Sequence, residues 1–202
     1  SYISNSFVQA LLAYAAYHGL QADSLLPSSA LEAVHIADPD GSLPFDALGP
    51  IWSAIVEQTG QGNCGLALGT TMAERFERHL VALIMANSRT LEAAIEKLFR
   101  YHGLLTDVIV PIRETHADNV LIRLEVAQPV LVGRQHIECT LAFFTTLIAS
   151  ISQTTCWPLR VEVGFPAPMD PLPIGRFGVT RSPLPRLSTN CVMLFRMFSR
   201  NC

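Results

Sequence analysis

The spacing of apolar residues changes beyond Thr106, and that change decides the fold class of this chain. Upstream the spacing is helical. Phe7, Leu11, Leu12, Ala15 and Ala16 form one stripe, and Gly19 is a helix stop. A short helix is expected over Asp23 to Leu26, broken by Pro27, Ser28 and Ser29 and resumed through Val34. Ala37 to Ser42 is turn chemistry. Pro44 is expected in the first turn of a helix that buries Leu48, Ile51, Trp52, Ile55 and Val56, with Gly60 to Gly65 closing it. His79 to Met85 reads as a further helix. Thr90 then caps one that carries Leu91, Ala94, Ile95, Leu98, His102 and Leu105 on a single face.

Downstream of Thr106 the chain alternates. Val120, Ile122, Leu124 and Val126 face one way and Leu121, Arg123 and Glu125 the other, with His116 to Asn119 as the turn of a hairpin. Val130 to Ile151 is apolar almost all round, which predicts a helix buried in the domain or at an interface. Arg134, His136 and Glu138 in its first half argue against a membrane span. An alternating strand follows Trp157 and Pro158, a proline-rich loop covers Pro166 to Pro173, and Cys191 to Phe195 supplies a last strand. The expected class is therefore α+β: a helical N-terminal layer over residues 1–89, then helix-strand-strand units over 90–202 forming an antiparallel sheet packed against helices. The whole reads as one domain.

Composition narrows the function classes. Of the 202 residues, 50% are apolar and 15% charged, well below the roughly 25% charged of an average globular protein. Net charge is −3, with a single lysine, so the chain lacks the basic face of a free-standing nucleic-acid binder. Five cysteines (Cys64, Cys139, Cys156, Cys191 and Cys202) occur without CxxC pairing, and no export leader is evident. That pattern favours reduced thiols in a cytoplasm. Cys139, in a helical apolar stretch, is read as a small buried hydrophobe. No metal-ligand spacing, Gly-x-Ser-x-Gly elbow or HExxH motif occurs, so no catalytic residue, metal site or cofactor is expected.

Several short segments recur in the order of a known family. They are His18 to Leu20, Leu43 and Pro44 ahead of the Trp52 helix, Gly65 to Gly69, and Ser88 to Leu91 with Ala94. Arg100 to His102 with Leu105 and Asp107, Pro129 ahead of the buried helix, and Val163 to Pro168 complete the series. Arg176 to Val179 and Asn190 to Phe195 approximate the family's closing elements. Over about residues 7 to 180 the chain resembles the N-terminal, "arabinose-binding"-type effector domain of AraC/XylS transcription regulators. That resemblance implies a dimerising domain that binds a small-molecule effector and controls a separate C-terminal helix-turn-helix domain, for which no match is present in this chain. Promoter DNA would be reached only through that domain, and no membrane partner is implied.

For an effector pocket, polar groups on apolar faces are informative, because burying them unpaired costs about 1–3 kcal/mol. Tyr101, His102, Arg123 and His136 are the candidate ligand-binding residues, expected to converge between the sheet and its helices. Arg123 would meet an anionic effector. Two other classes stay open. A pure oligomerisation module would use the all-round apolar helix as a dimer seam, and a small enzyme would need two titratable groups within hydrogen-bond reach inside a cavity.

Overall fold

The computed structural model describes residues 1–35, 41–76, 80–116, 119–127, 132–152, 158–163, 179–181 and 191–196. Helices dominate its first half. β1 (Tyr2–Ser4) leads directly into α1 (Asn5–Tyr17), because Ser4 caps it, its side chain accepting from the Phe7 N–H at 3.4 Å. Gly19 follows at φ +85°, a left-handed residue that ends the helix. α2 (Ala22–Leu25) and α3 (Ser28–His35) flank Pro27 as the sequence indicates.

Leu43 and Pro44 depart from expectation. They lie in β2 (Ser42–Pro44), which pairs antiparallel with β1 through Tyr2↔Pro44 and Ile3↔Leu43. A 3-10 turn over Phe45–Ala47 then delivers the chain into α4 (Leu48–Thr59). Pro44 therefore ends a strand instead of opening the helix. Leu48, Ile51, Trp52 and Ile55 are buried on α4, whereas Val56 is only half-buried. Gly60, at φ +65°, donates its N–H to the Val56 carbonyl and caps α4.

The largest departure is α5 (Cys64–Glu74), a helix where the glycines suggested a turn. Its two interior glycines permit a close helix contact. A Cβ on Gly65 would lie 2.0 Å from the Gln135 carbonyl oxygen, and one on Gly69 2.1 Å from that of Cys139. Position 65 meets 135 and 69 meets 139, so α5 runs parallel to α8 (Arg134–Ser152) with backbone against backbone. α6 (Leu80–Ala86) and α7 (Leu91–Tyr101) follow, the latter capped by Thr90, whose hydroxyl accepts from the Ala93 N–H at 3.1 Å. The single lysine, Lys97, reaches back to the carbonyls of Ile84 and Asn87, each at 3.1 Å, and so satisfies the C-terminal end of α6.

The second half is built on a five-stranded sheet of order β3-β4-β7-β5-β6. β3 (Ile109–His116) and β4 (Asn119–Val126) form the expected hairpin, in register from Ile109↔Val126 to His116↔Asn119. β7 (Cys191–Arg196) pairs antiparallel with both β4 and β5 (Pro158–Val163), and β6 (Val179–Arg181) adds a parallel edge beside β5. The alternation of β4 is reproduced: Val120, Ile122 and Leu124 are buried, and Leu121, Arg123 and Glu125 are half-buried on the other face. α7 packs on β3, where Arg113 pairs with Glu92 and lies 3.4 Å from Glu96.

α8 is buried inside the chain. Ile137, Leu141, Phe144, Leu147 and Ile148 are all core residues, and α5 and α7 lie against the helix. Its apolarity is thus accounted for without a second copy. No helix of the described residues is long and apolar enough to cross a membrane. The expected proline-rich loop over Pro166 to Pro173 lies outside the described residues.

Candidate functional site

A cavity of about 610 Å³ opens where the helical layer meets the sheet portion. Each wall has a reason in the local sequence. α1 carries its core stripe on Val8, Leu11, Leu12 and Ala15. Its neighbouring stripe, Phe7, Ala10, Tyr14 and Tyr17, faces the cavity, and small Ala10 leaves room there. α5 contributes Leu68, Thr71, Met72, Arg75 and Phe76, while α8 contributes His136, Cys139, Thr140, Phe143 and Phe144. The 3-10 turn after α7 and the start of β3 supply His102, Leu105, Thr106, Ile109 and Pro111. The walls are mostly apolar and aromatic, the usual character of a small-molecule site. Phe76 and Phe143 pack edge to face at 4.9 Å, and Phe99 meets Phe144 at 5.9 Å behind them.

Most polar groups of the lining are satisfied by the fold itself. Thr71 donates to the Ala67 carbonyl and Thr140 to that of His136, each one turn back on its own helix. Thr106 donates to the Tyr2 carbonyl at 3.0 Å and accepts from the Val108 N–H. The Ser4 and Ser6 hydroxyls lie 3.0 Å apart. His102 holds its Nδ1 2.6 Å from the Phe99 carbonyl oxygen.

His136 differs. It is 3% exposed, held edge to face between Phe7 at 4.9 Å and Phe45 at 4.8 Å, and its Nδ1 has no hydrogen-bond partner. Burial pushes its pKa down to about 3, so the ring is neutral at physiological pH and offers one donor and one acceptor. Tyr14 keeps its proton as well, because burial raises its pKa, with Cys64 and Tyr17 adding to the shift. Arg75, exposed at the C-terminal end of α5, is the one fully charged side chain of the lining and forms no ion pair among the described residues. Among the described residues no carboxylate lines the cavity.

The four candidate residues separate into two pairs. His102 and His136 line the cavity together. Tyr101, the last residue of α7, is 38% exposed and is not part of the lining. Arg123 is also outside it. It projects from the half-buried face of β4, opposite the buried side chains, and pairs with Glu114 and, at 3.3 Å, with Glu125. Its guanidinium is thus paired with carboxylates on its own sheet face, away from the cavity lining. Glu138 lies on α8 near His136 but is held by Arg134 at 2.6 Å. Burial raises its pKa, and Arg134 pulls it back.

Sequence reasoning missed Arg75, because residues 64–74 were not read as helical and its place at the end of a cavity wall was hidden. It also missed Phe7, Ala10, Tyr14 and Tyr17 as a set. Their i, i+3, i+7, i+10 spacing marks a second stripe beside the core stripe of α1, and that signal was available.

Little in the cavity suits covalent chemistry. Burial pushes the Cys139 thiol far above its ordinary pKa, with Cys64 adding to the effect, so it is a protonated, inert group. Among the described residues no group of three or more His, Cys, Asp or Glu is placed to hold a metal ion.

Comparison with known proteins agrees with this architecture. Residues 19–177 match the family described as the arabinose-binding domain of AraC transcription regulator, N-terminal. The crystal structure of the transcriptional regulator CdpR from Pseudomonas aeruginosa superposes with a TM-score of 0.56 at 13% identity, over 93% of this chain and 54% of that one. At that identity the likeness establishes the fold alone, and the chain spans about half of that regulator's length. No curated protein matches the chain.

Proposed function

Because the chain belongs to the family of N-terminal arabinose-binding domains of AraC transcription regulators, we propose that it is a non-catalytic sensor. In this reading it binds a small-molecule effector and passes the signal to a DNA-binding domain elsewhere in the intact, cytoplasmic regulator. The observation that carries the reading is the cavity between the two portions of the fold, apolar-walled and holding a buried imidazole whose Nδ1 has no hydrogen-bond partner among the described residues. An effector lodged there touches α1 on one side and α5, α8 and β3 on the others. It therefore stabilises whichever relative arrangement of those elements fits it better, and that differential affinity sets how far the population shifts.

A module that only pairs copies of the regulator is the second reading. Its sequence argument was the all-round apolar helix, and α8 is enclosed by its own chain. What favours it now is apolar surface on α6, where Leu80 and Leu83 are 50% and 55% exposed.

A thermal-shift screen of amino acids, amines, sugars, fatty acids and aromatic acids separates the two. A ligand at about 100 times its Kd stabilises the fold by about 2.7 kcal/mol. Ala10→Phe fills the cavity from α1 and is expected to abolish that shift while leaving the ligand-free melting temperature nearly unchanged. A flat screen together with a dimer in sedimentation would favour the pairing module.

A further inference from the structure

The cavity has two polar ends of different chemistry. One is His136, fully enclosed, with a ring nitrogen that lacks a partner. The other is Arg75, at the rim, without an ion pair among the described residues. Between them run Leu68, Met72, Phe76, Phe143 and Phe144, with no charged group among the described residues. The parallel pairing of α5 and α8 gives their separation. His136 is one residue beyond the Gly65 contact at Gln135, whereas Arg75 is ten residues beyond Gly65 itself. At about 1.5 Å of rise per residue the two ends lie about 14 Å apart along the helix pair.

We infer that the effector is an amphipathic acid: a carboxylate paired with Arg75 at the rim, an apolar body along the aromatic wall, and a hydroxyl or similar hydrogen-bonding group at the far end on His136. A sugar would leave its many hydroxyls unpaired against phenylalanines. An amine would face a guanidinium and find no lining carboxylate among the described residues. A purely apolar ligand would leave the His136 nitrogen unsatisfied. An acid with one distal hydroxyl matches all of these groups at once. The inference rests on the sensor reading and specifies its ligand class.

The test is calorimetric titration of the 202-residue chain at low ionic strength with three probes built on one ten-carbon acyl chain: ω-hydroxydecanoate, decanoate and methyl decanoate, the last with neither a charge nor a hydroxyl. The expected order of affinity is hydroxy acid, acid, ester, each step being about tenfold, the scale of one charge-assisted or buried hydrogen bond. Arg75→Gln is expected to remove the acid-over-ester preference, and added salt to reduce it in the unaltered chain. His136→Leu is expected to remove the preference for the distal hydroxyl, with His136→Gln retaining part of it. If a His136 variant fails to fold, the ranking of the three probes on the unaltered chain still decides. Equal affinity for acid and ester, or an acid preference that survives Arg75→Gln, overturns the inference and leaves the sensor reading standing. Failure of all three probes while another class shifts the melting temperature does the same. A ligand screen that is flat throughout removes both.

Discussion

At the scale of single residues, His136 is an expense that packing alone does not require. A buried imidazole with an unpartnered nitrogen costs about 1–3 kcal/mol relative to a leucine of similar volume. It also makes stability depend on pH. Its pKa is about 3 in the fold and about 6.5 when unfolded, so the unfolded chain binds the extra proton between those values. Its contribution is therefore fully present above pH 6.5 and is lost as pH falls toward 3, at up to about 1.4 kcal/mol per pH unit. Urea melts at a series of pH values should show this slope, and subtracting those of His136→Leu isolates it from the opposing response of Glu138, whose pKa is raised. A difference that stays flat from neutral pH to pH 5 would contradict the burial described. Arg123 leads to the opposite expectation. Its ion pairs are partly exposed and weak, so Arg123→Ala should cost no more than about 1 kcal/mol and leave effector affinity within about twofold. The sequence identifies both residues as polar groups on patterned elements. It does not indicate which face of β4 looks toward the cavity, because Glu114 comes beside Arg123 only when the hairpin closes.

At the scale of elements, the contact between α5 and α8 reverses an ordinary rule. Alanine in place of a helix-interior glycine usually stabilises by up to about 1 kcal/mol. At Gly65 and Gly69 the added Cβ meets backbone carbonyls that cannot rotate away. Gly65→Ala should therefore destabilise by about 3 kcal/mol, since the two helices must separate to admit it. Gly62→Ala, with nothing near its Cβ, serves as the control in the same denaturant titration. This contact also explains what the sequence concealed. Gly65 to Gly69 carries too many glycines to read as a helix when only local propensity is considered, and the partner backbone that demands them is 70 residues away. α1, α4, α7 and the hairpin were legible, because their caps, stripes and alternation lie within each segment. β1 and β2 were not, since three-residue strands pairing across 40 positions leave no period to detect.

At the scale of the whole molecule, the helical layer and the sheet portion are joined at the head of α1. The Ser4 N–H donates to the Leu105 carbonyl at 2.8 Å, Ile3 bridges Thr106, and the Tyr2 N–H donates to Asp107 at 2.7 Å. The far end of α1 turns Tyr14 and Tyr17 toward the cavity. Ligand binding should therefore slow amide exchange in the last turns of α1 and the first turns of α8 together, with little change in β1. Protection confined to one of the two helices in an exchange experiment would mean the ligand sits elsewhere. The site as a whole was not legible, because its walls come from positions as distant as Phe7 and Phe144. The Gly65 and Gly69 contact has a practical consequence for re-engineering the regulator. α5 and α8 are locked to each other and form the fixed half of the mould, where library diversity would mostly yield unfolded chains. The recuttable half is α1, where Ala10 and Ala13 border the cavity and neither is among the fully buried core residues. New effector specificities should emerge from substitutions there.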